Sequence, residues 1–192
     1  MQPATPQGLD DDLPIVRRCL KGDGSAQELL VRRYQGPVFG LCFRLLGHRQ
    51  DAEDVTQEVL VRALRGLAGW DQTRPLRPWL LAIAVNRCRT AIARRARRPA
   101  TLEYLHELPD RRPPTDGQDL GEEIARAVAE LRPEYRTAFT LFHEQALPYD
   151  EIARILDCPL GTVKTWLHRA RKELLGQLRR RGFVTEAQHE LR

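Results

Sequence analysis

The sequence predicts an all-α protein built from two small helical domains that a flexible, proline-rich linker joins. Apolar residues recur at i, i+3 and i+4 along most of the 192 residues, whereas the period-2 alternation typical of strands is nearly absent. Between Arg98 and Leu120 this pattern stops, and four of the chain's 13 prolines fall there. Proline fixes φ and lacks a backbone donor, so a packed helix cannot run through this stretch. We therefore expect domains at residues 11–98 and 120–180 and a linker at residues 99–119.

The first domain is predicted to contain four helices. They are expected over residues 11–21, 25–46, 51–68 and 77–97. Gly22 and Gly47 end the first two, because glycine readily adopts the left-handed conformation that closes a helix. Ser25 and Asp51 are suited to N-cap the second and third. Pro37 lies inside the second helix and should kink or split it.

The second domain repeats this organisation in shorter pieces. Helices are expected over residues 120–131, 133–145, 149–156 and 160–180. The short third helix, the tight turn at residues 157–160 and the long fourth helix form a candidate helix-turn-helix unit. Within the linker, residues 102–108 could form one short helical turn.

Composition argues against several classes of protein. The longest uncharged run is ten residues, about half of a membrane span, and the polar N-terminus resembles no signal peptide, so we expect a cytoplasmic protein without a membrane span. The four cysteines include no CxxC pair, which argues against a zinc site or a disulfide framework. A single serine and the lack of a P-loop disfavour catalysis, so we expect no enzyme activity, cofactor or metal.

The last helix has the pattern of a DNA-recognition helix. Val163, Leu167, Ala170 and Leu174 form an apolar stripe that should face the core. The residues off that stripe and predicted to contact duplex DNA are Lys164, Thr165, His168, Arg169, Arg171 and Lys172. In a helix-turn-helix unit the first four would meet base edges or adjacent phosphates, and the last two suit the phosphate backbone. The alternative is a solvated helix face, although such faces usually mix both signs of charge.

A second basic segment lies at the end of the fourth helix. Six arginines and no acid occur between Arg87 and Arg98, and such a run repels itself unless an anion neutralises it. The preceding loop, Trp70 to Trp79, contains two arginines between two tryptophans. Aromatic side chains beside basic ones are the surface on which single-stranded nucleic acid stacks. The alternative is that both tryptophans belong to the core.

The third helix carries an acidic face opposite its apolar stripe. Its members are Asp51, Asp54, Gln57, Glu58, Arg62 and Arg65. DNA would be repelled by these carboxylates, whereas a basic protein surface would be attracted. We therefore interpret this face as a protein-docking surface, with a plain solvated face as the alternative.

Four segments, in this order and at this spacing, resemble the bacterial sigma-70 family of RNA polymerase sigma factors, in its small extracytoplasmic-function group. They are Asp51–Glu58, Pro78–Asn86, Tyr149–Ala153 and Gly161–Arg171. The resemblance implies a factor that binds polymerase core, recognises the −10 and −35 promoter elements and melts DNA. The other function considered is a two-domain helix-turn-helix regulator that binds duplex DNA without polymerase.

The resemblance also implies roles for individual residues. The acidic helix would dock on the polymerase β′ clamp through Asp51, Asp54, Gln57, Glu58 and Arg62. The −10 element, as melted single strand, would be bound by Trp70, Asp71, Gln72, Arg74, Leu76, Arg77, Trp79, Asn86 and Arg89. The −35 duplex would be read by Lys164, Thr165, His168 and Arg169. The β flap is a further expected partner, and many relatives bind an anti-sigma factor. Trp166 departs from the family, since many relatives carry arginine there.

Overall fold

The computed structural model describes residues 9–97 and 120–183, and within these residues the chain forms eight α-helices. They are α1 (Leu9–Leu20), α2 (Gly24–Leu46), α3 (Arg49–Gly66), α4 (Leu76–Arg97), α5 (Leu120–Glu130), α6 (Pro133–His143), α7 (Tyr149–Leu156) and α8 (Leu160–Arg180). The all-α prediction is confirmed. The predicted linker and its helical turn at residues 102–108 lie outside the described residues. None of the described helices is long and apolar enough to cross a membrane.

In the first domain α2 is the central helix and packs against α1, α3 and α4. Val38, Leu41, Val59 and Leu80 are almost fully buried between these helices. Burying each such side chain stabilises the fold by about 1.5–3 kcal/mol. The apolar positions spaced three and four apart therefore account for this four-helix arrangement.

Two of the predicted helix caps are wrong, and both errors have a physical reason. The N-cap of α2 is Asp23 rather than Ser25, because the Asp23 carboxylate accepts hydrogen bonds from the backbone N–H groups of Ser25 and Ala26 at 3.0 and 3.2 Å. The N-cap of α3 is His48 rather than Asp51, because the Nδ1 atom of His48 accepts a hydrogen bond from the backbone N–H of Asp51 at 3.4 Å and Asp51 lies in the first turn. Gly47 does close α2, with φ of 71°.

Pro37 does not split the second helix, since α2 continues without interruption from Gly24 to Leu46. Tyr34 and Leu41 are buried on either side of the proline. Burial of both halves of the helix against the same core offsets the hydrogen bond that proline removes.

In the second domain α8 packs against α5, α6 and α7. Val163, Leu167, Ala170 and Leu174 are buried, as the stripe predicted. Asp157 takes a left-handed φ of 52° between α7 and α8, and this turns the chain into the recognition helix. Trp166 is partly buried against both apolar clusters of the protein, so its ring fills the space beside α8.

The two domains contact each other through α2, α4, α6 and α7. A single buried apolar cluster extends from the first domain to Leu141 and Ile152 of the second. Around it, Arg77 donates to the Gln145 side chain at 2.8 Å, and Arg44 pairs with Glu144 at 3.0 Å. We call these two polar contacts and this apolar cluster the domain seam.

Candidate nucleic-acid and protein interfaces

The acidic face of α3 is divided into an exposed part and a part tied to α4. Asp54 and Gln57 are exposed, and Val61, one turn further along, is 45% exposed. Asp51 is half-buried and lies 3.7 Å from the Arg95 guanidinium. The part of this face that an approaching protein meets first therefore combines a carboxylate, an amide and an apolar side chain.

Glu58 joins α3 to α4. Its carboxylate accepts hydrogen bonds from Arg87 at 2.9 Å and from Arg62 at 3.1 Å. Partial burial raises the pKa of Glu58, but the hydrogen bonds from Arg62 and Arg87 outweigh it, so this pKa lies below its ordinary value. The Arg87 side chain is only 19% exposed. Glu58 therefore carries a negative charge that two neighbouring arginines already neutralise.

The loop from Trp70 to Trp79 has a buried base and an exposed tip. Trp70 and Leu76 are buried, and Trp79 is half-buried against the core. At the tip, the Asp71 carboxylate accepts from the hydroxyl and the backbone N–H of Thr73 at 2.7 and 3.0 Å, and these bonds lower its pKa. Gln72 and Arg74 beside it are exposed. For Trp70 and Leu76 the structure thus favours the core role over an exposed surface.

The arginines of α4 point in two directions. Arg87 and Arg95 reach the acids of α3. Arg89, Arg94 and Arg97 line an open groove on another side of the helix. Asn86, one turn before this groove, is also exposed. The exposed tip of the loop and this side of α4 together present polar and cationic groups suited to a nucleic-acid strand.

Arg77 is placed differently from the other residues predicted to bind the −10 element. It is half-buried, its Nε atom is buried without a hydrogen-bond partner, and burial lowers its pKa. Its bond to Gln145 places it in the domain seam.

The recognition helix presents all of its predicted DNA-contacting residues on the surface. Exposed side chains are those of Lys164, Thr165, His168, Arg169, Arg171 and Lys172. Thr165 donates to the Gly161 carbonyl at 2.9 Å, which holds its hydroxyl against the helix. Arg169 donates to the Tyr135 hydroxyl at 3.2 Å, and the Arg171 guanidinium lies 5.4 Å from the centre of the Phe142 ring.

Sequence reasoning missed Arg87, Tyr135 and Gln145, which orient predicted site residues from other helices or loops. Arg87 belongs to the arginine run, but only the tertiary fold brings it to Glu58. Tyr135 and Gln145 are buried residues whose partners lie 34 and 68 positions away in the chain. No local pattern in the sequence signals contacts of this length.

Comparison with known proteins identifies both domains. The family model described as Sigma-70 region 2 matches residues 30–98, and that described as Sigma-70, region 4 matches residues 121–174. The chain is 35% identical over 175 residues to the ECF RNA polymerase sigma-E factor of Haemophilus influenzae, covering 84% of this chain and 92% of that protein. It is 30% identical over 178 residues to the RNA polymerase sigma-H factor of Pseudomonas aeruginosa, covering 86% and 92%.

A solved structure resembles both domains together. The match is to CnrH in complex with the cytosolic domain of CnrY, with a TM-score of 0.65 and 26% sequence identity. It covers 88% of this chain and 97% of CnrH. The matched region therefore spans both domains.

Proposed function

The chain belongs to the extracytoplasmic-function group of the sigma-70 family of RNA polymerase sigma factors, and from this premise we propose how its two domains share promoter recognition. It directs polymerase to promoters and is not an enzyme. This membership decides against a regulator that binds duplex DNA without polymerase. We assign polymerase docking and the −10 element to residues 11–98, the −35 element to residues 120–180, and the connection to residues 99–119. All of this work would take place in the cytoplasm.

Docking on the β′ clamp of polymerase core is assigned to the acidic face of α3. Its members are Asp51, Asp54, Gln57, Glu58 and Arg62. Asp54 and Gln57 are the central contacts, because they are exposed beside the apolar Val61. Interfaces commonly combine a small apolar centre with polar groups around it. Glu58 supports this surface by holding α3 to α4.

Binding of the melted −10 element is assigned to the loop tip and the exposed side of α4. The residues in exposed positions are Asp71, Gln72, Arg74, Asn86 and Arg89. Trp70 and Leu76 anchor the loop in the core, and Arg77 and Trp79 contribute at its edge, where each is half-buried.

Reading of the −35 duplex is assigned to α8. Lys164, Thr165, His168 and Arg169 lie in its N-terminal half, the part that enters the major groove in helix-turn-helix units. Arg171 and Lys172 are placed one turn further along and contact phosphates. Exposure of all six side chains above a buried apolar stripe supports this assignment.

Two further partners are proposed. The β flap of polymerase is assigned to the exposed apolar side chains of α5, Leu120 and Ile124, because exposed apolar groups on a highly charged domain indicate a docking site. An anti-sigma factor is proposed from the likeness to CnrH, which was solved in complex with CnrY.

The observation that carries the proposal is the separation of charge between exposed surfaces: carboxylate on α3, and cationic side chains on α4 and α8. Run-off transcription tests it. Purified protein is added to sigma-free bacterial core polymerase on a genomic promoter library. We expect new, discrete start sites that share two upstream sequence elements. Failure to bind core and to produce transcripts would contradict the proposal.

Two variants separate the surfaces in that assay. Asp54→Lys should weaken core binding, because it reverses the charge of an exposed carboxylate, while leaving the fold intact. Lys164→Ala should leave core binding unchanged and lower transcription from promoters that depend on the −35 element. A variant that loses both activities has failed to fold, which its melting temperature would reveal.

A further inference from the structure

One side of α6 carries a row of aromatic residues that lies against the recognition helix. The row consists of Tyr135, Phe139, Phe142 and His143, spaced so that they share one side of the helix. The ring centres of Phe139 and Phe142 lie 4.3 and 4.8 Å from that of His143. Tyr135 is 5% exposed and belongs to the apolar cluster beneath α8. The row is therefore a fixed surface.

Two arginines of α8 contact members of this row. Arg169 donates through Nη1 to the Tyr135 hydroxyl at 3.2 Å. The Arg171 guanidinium lies 5.4 Å from the centre of the Phe142 ring, within the range of a cation–π contact. Both arginines are nevertheless exposed. Each guanidinium group is thus held from one side by an aromatic residue of α6, while the arginine as a whole remains exposed to solvent.

Holding an arginine in place has a direct consequence for DNA recognition. A free arginine must lose much of its rotamer freedom on binding, which lowers the affinity for DNA. The bond to Tyr135 uses one of the five N–H groups of Arg169 and leaves the others for the acceptors of a base.

We propose that Tyr135 and Phe142 are positioning residues for −35 recognition, with Tyr135 setting the guanidinium of Arg169 for a base edge and Phe142 setting that of Arg171 for a phosphate. This inference rests on the proposed role of α8. It assigns a function to α6, none of whose residues is among those predicted to contact DNA. The two contacts should affect different quantities. The contact between Tyr135 and Arg169 should affect sequence discrimination, and the contact between Phe142 and Arg171 should affect overall affinity.

Tyr135→Phe tests the first half, because it removes one oxygen and keeps the buried ring. Holoenzyme reconstituted with core polymerase is titrated with a promoter duplex mapped by run-off transcription. A second duplex carries one substituted base pair in the −35 element. We expect the ratio of the two affinities to fall about threefold to tenfold, which corresponds to the ordering cost of one side chain. Core binding should stay unchanged.

Phe142→Leu tests the second half and should weaken binding to both duplexes by the same factor. Phe139→Leu is the matched control, since Phe139 lies in the same row and contacts His143 rather than an arginine. It should match the wild type in both measurements.

A double-mutant cycle separates positioning from a general structural effect. In an Arg169→Ala background, Tyr135→Phe should cause no further loss of discrimination. An equal loss in both backgrounds, or a Tyr135→Phe ratio identical to wild type, would overturn the proposal. If wild-type holoenzyme itself does not distinguish the two duplexes, the assignment of α8 to the −35 element is wrong, and this inference falls with it.

Discussion

Replacing Glu58 with glutamine should destabilise the first domain, although the residue lies on a surface helix. Glu58→Gln keeps the size of the side chain and removes the charge that Arg87 and Arg62 share. Arg87 then has no ionic partner on α3, while its Nε atom is already buried without a hydrogen bond. The substitution therefore leaves a largely buried cation uncompensated.

The size of the expected loss of stability follows from how far the Arg87 and Glu58 side chains are exposed to solvent. Exposed ion pairs contribute about 0–1 kcal/mol, whereas breaking a fully buried pair costs about 3–5 kcal/mol. The Arg87 side chain is 19% exposed and that of Glu58 is 36% exposed, so the pair lies between these limits and solvent screens part of it. We expect a loss of about 1–2 kcal/mol, or about 2–8 °C in melting temperature for a chain of this length.

Thermal and denaturant unfolding of the wild type, Glu58→Gln, Arg87→Gln and the double variant measures this coupling. Asp54→Asn is the matched control, since Asp54 is exposed on the same helix and its side chain has no partner among residues 9–97 and 120–183. It should change the free energy of unfolding by no more than about 0.5 kcal/mol. Glu58 does not join the two helices if Glu58→Gln and Asp54→Asn have the same free energy of unfolding. The same holds if the losses of Glu58→Gln and Arg87→Gln simply add in the double variant.

Three other predictions concern the caps and the domain seam. Gly47→Ala should destabilise by about 1 kcal/mol, because φ there is 71°, whereas Gly40→Ala, inside α2 with open space at its Cβ position, should stabilise slightly in the same melting experiment. Hydrogen bonds from Ser25, then Arg18, lower the pKa of Asp23 to about 2. Because the pKa of Asp23 is lower in the folded protein than in the unfolded chain, its carboxylate stabilises the fold at pH values above the ordinary pKa, and this stabilisation is lost as the pH falls toward 2. The melting-temperature advantage of wild type over Asp23→Asn should therefore shrink between pH 4 and pH 2. Gln145→Ala removes the only side-chain bond described for Arg77 and should increase the radius of gyration in small-angle scattering; an unchanged radius would mean that the apolar part of the seam suffices.

The sequence predicted most accurately those elements whose signals are local. The bounds of α7 agree to the residue, because a buried stripe of Ile152, Ile155 and Leu156 lies between two turn-forming segments. The cap of α2 was misassigned because Asp23, Gly24 and Ser25 all suit a helix start. The choice of Asp23 depends on Arg18 of the preceding helix, which bonds its carboxylate at 2.8 Å.

Among the candidate site residues, too, those with a local sequence signal were predicted and those that depend on contacts with other helices were not. Exposure of the six DNA-facing residues of α8 follows from the apolar stripe alone, and it was predicted. The burial of Leu76 was not predicted, and a core position for Trp70 was only one of two alternatives, because a loop between two tryptophans has no periodicity that separates its core side from its exposed side. The pairing of Glu58 with Arg87 depends on how α3 and α4 cross, and neither helix specifies that by itself.

The place of Arg77 in the domain seam connects two equilibria, the packing of the two domains against each other and the binding of the melted −10 strand. The N–H group of Arg77 Nη2 that donates to Gln145 cannot donate to a −10 phosphate at the same time. If a −10 phosphate takes the N–H group that bonds Gln145, packing of the domains and binding of the melted strand oppose each other, and thermodynamic linkage makes the effect equal both ways. A protein that clamps the two domains together must then weaken −10 binding by the same factor by which the strand weakens the clamp.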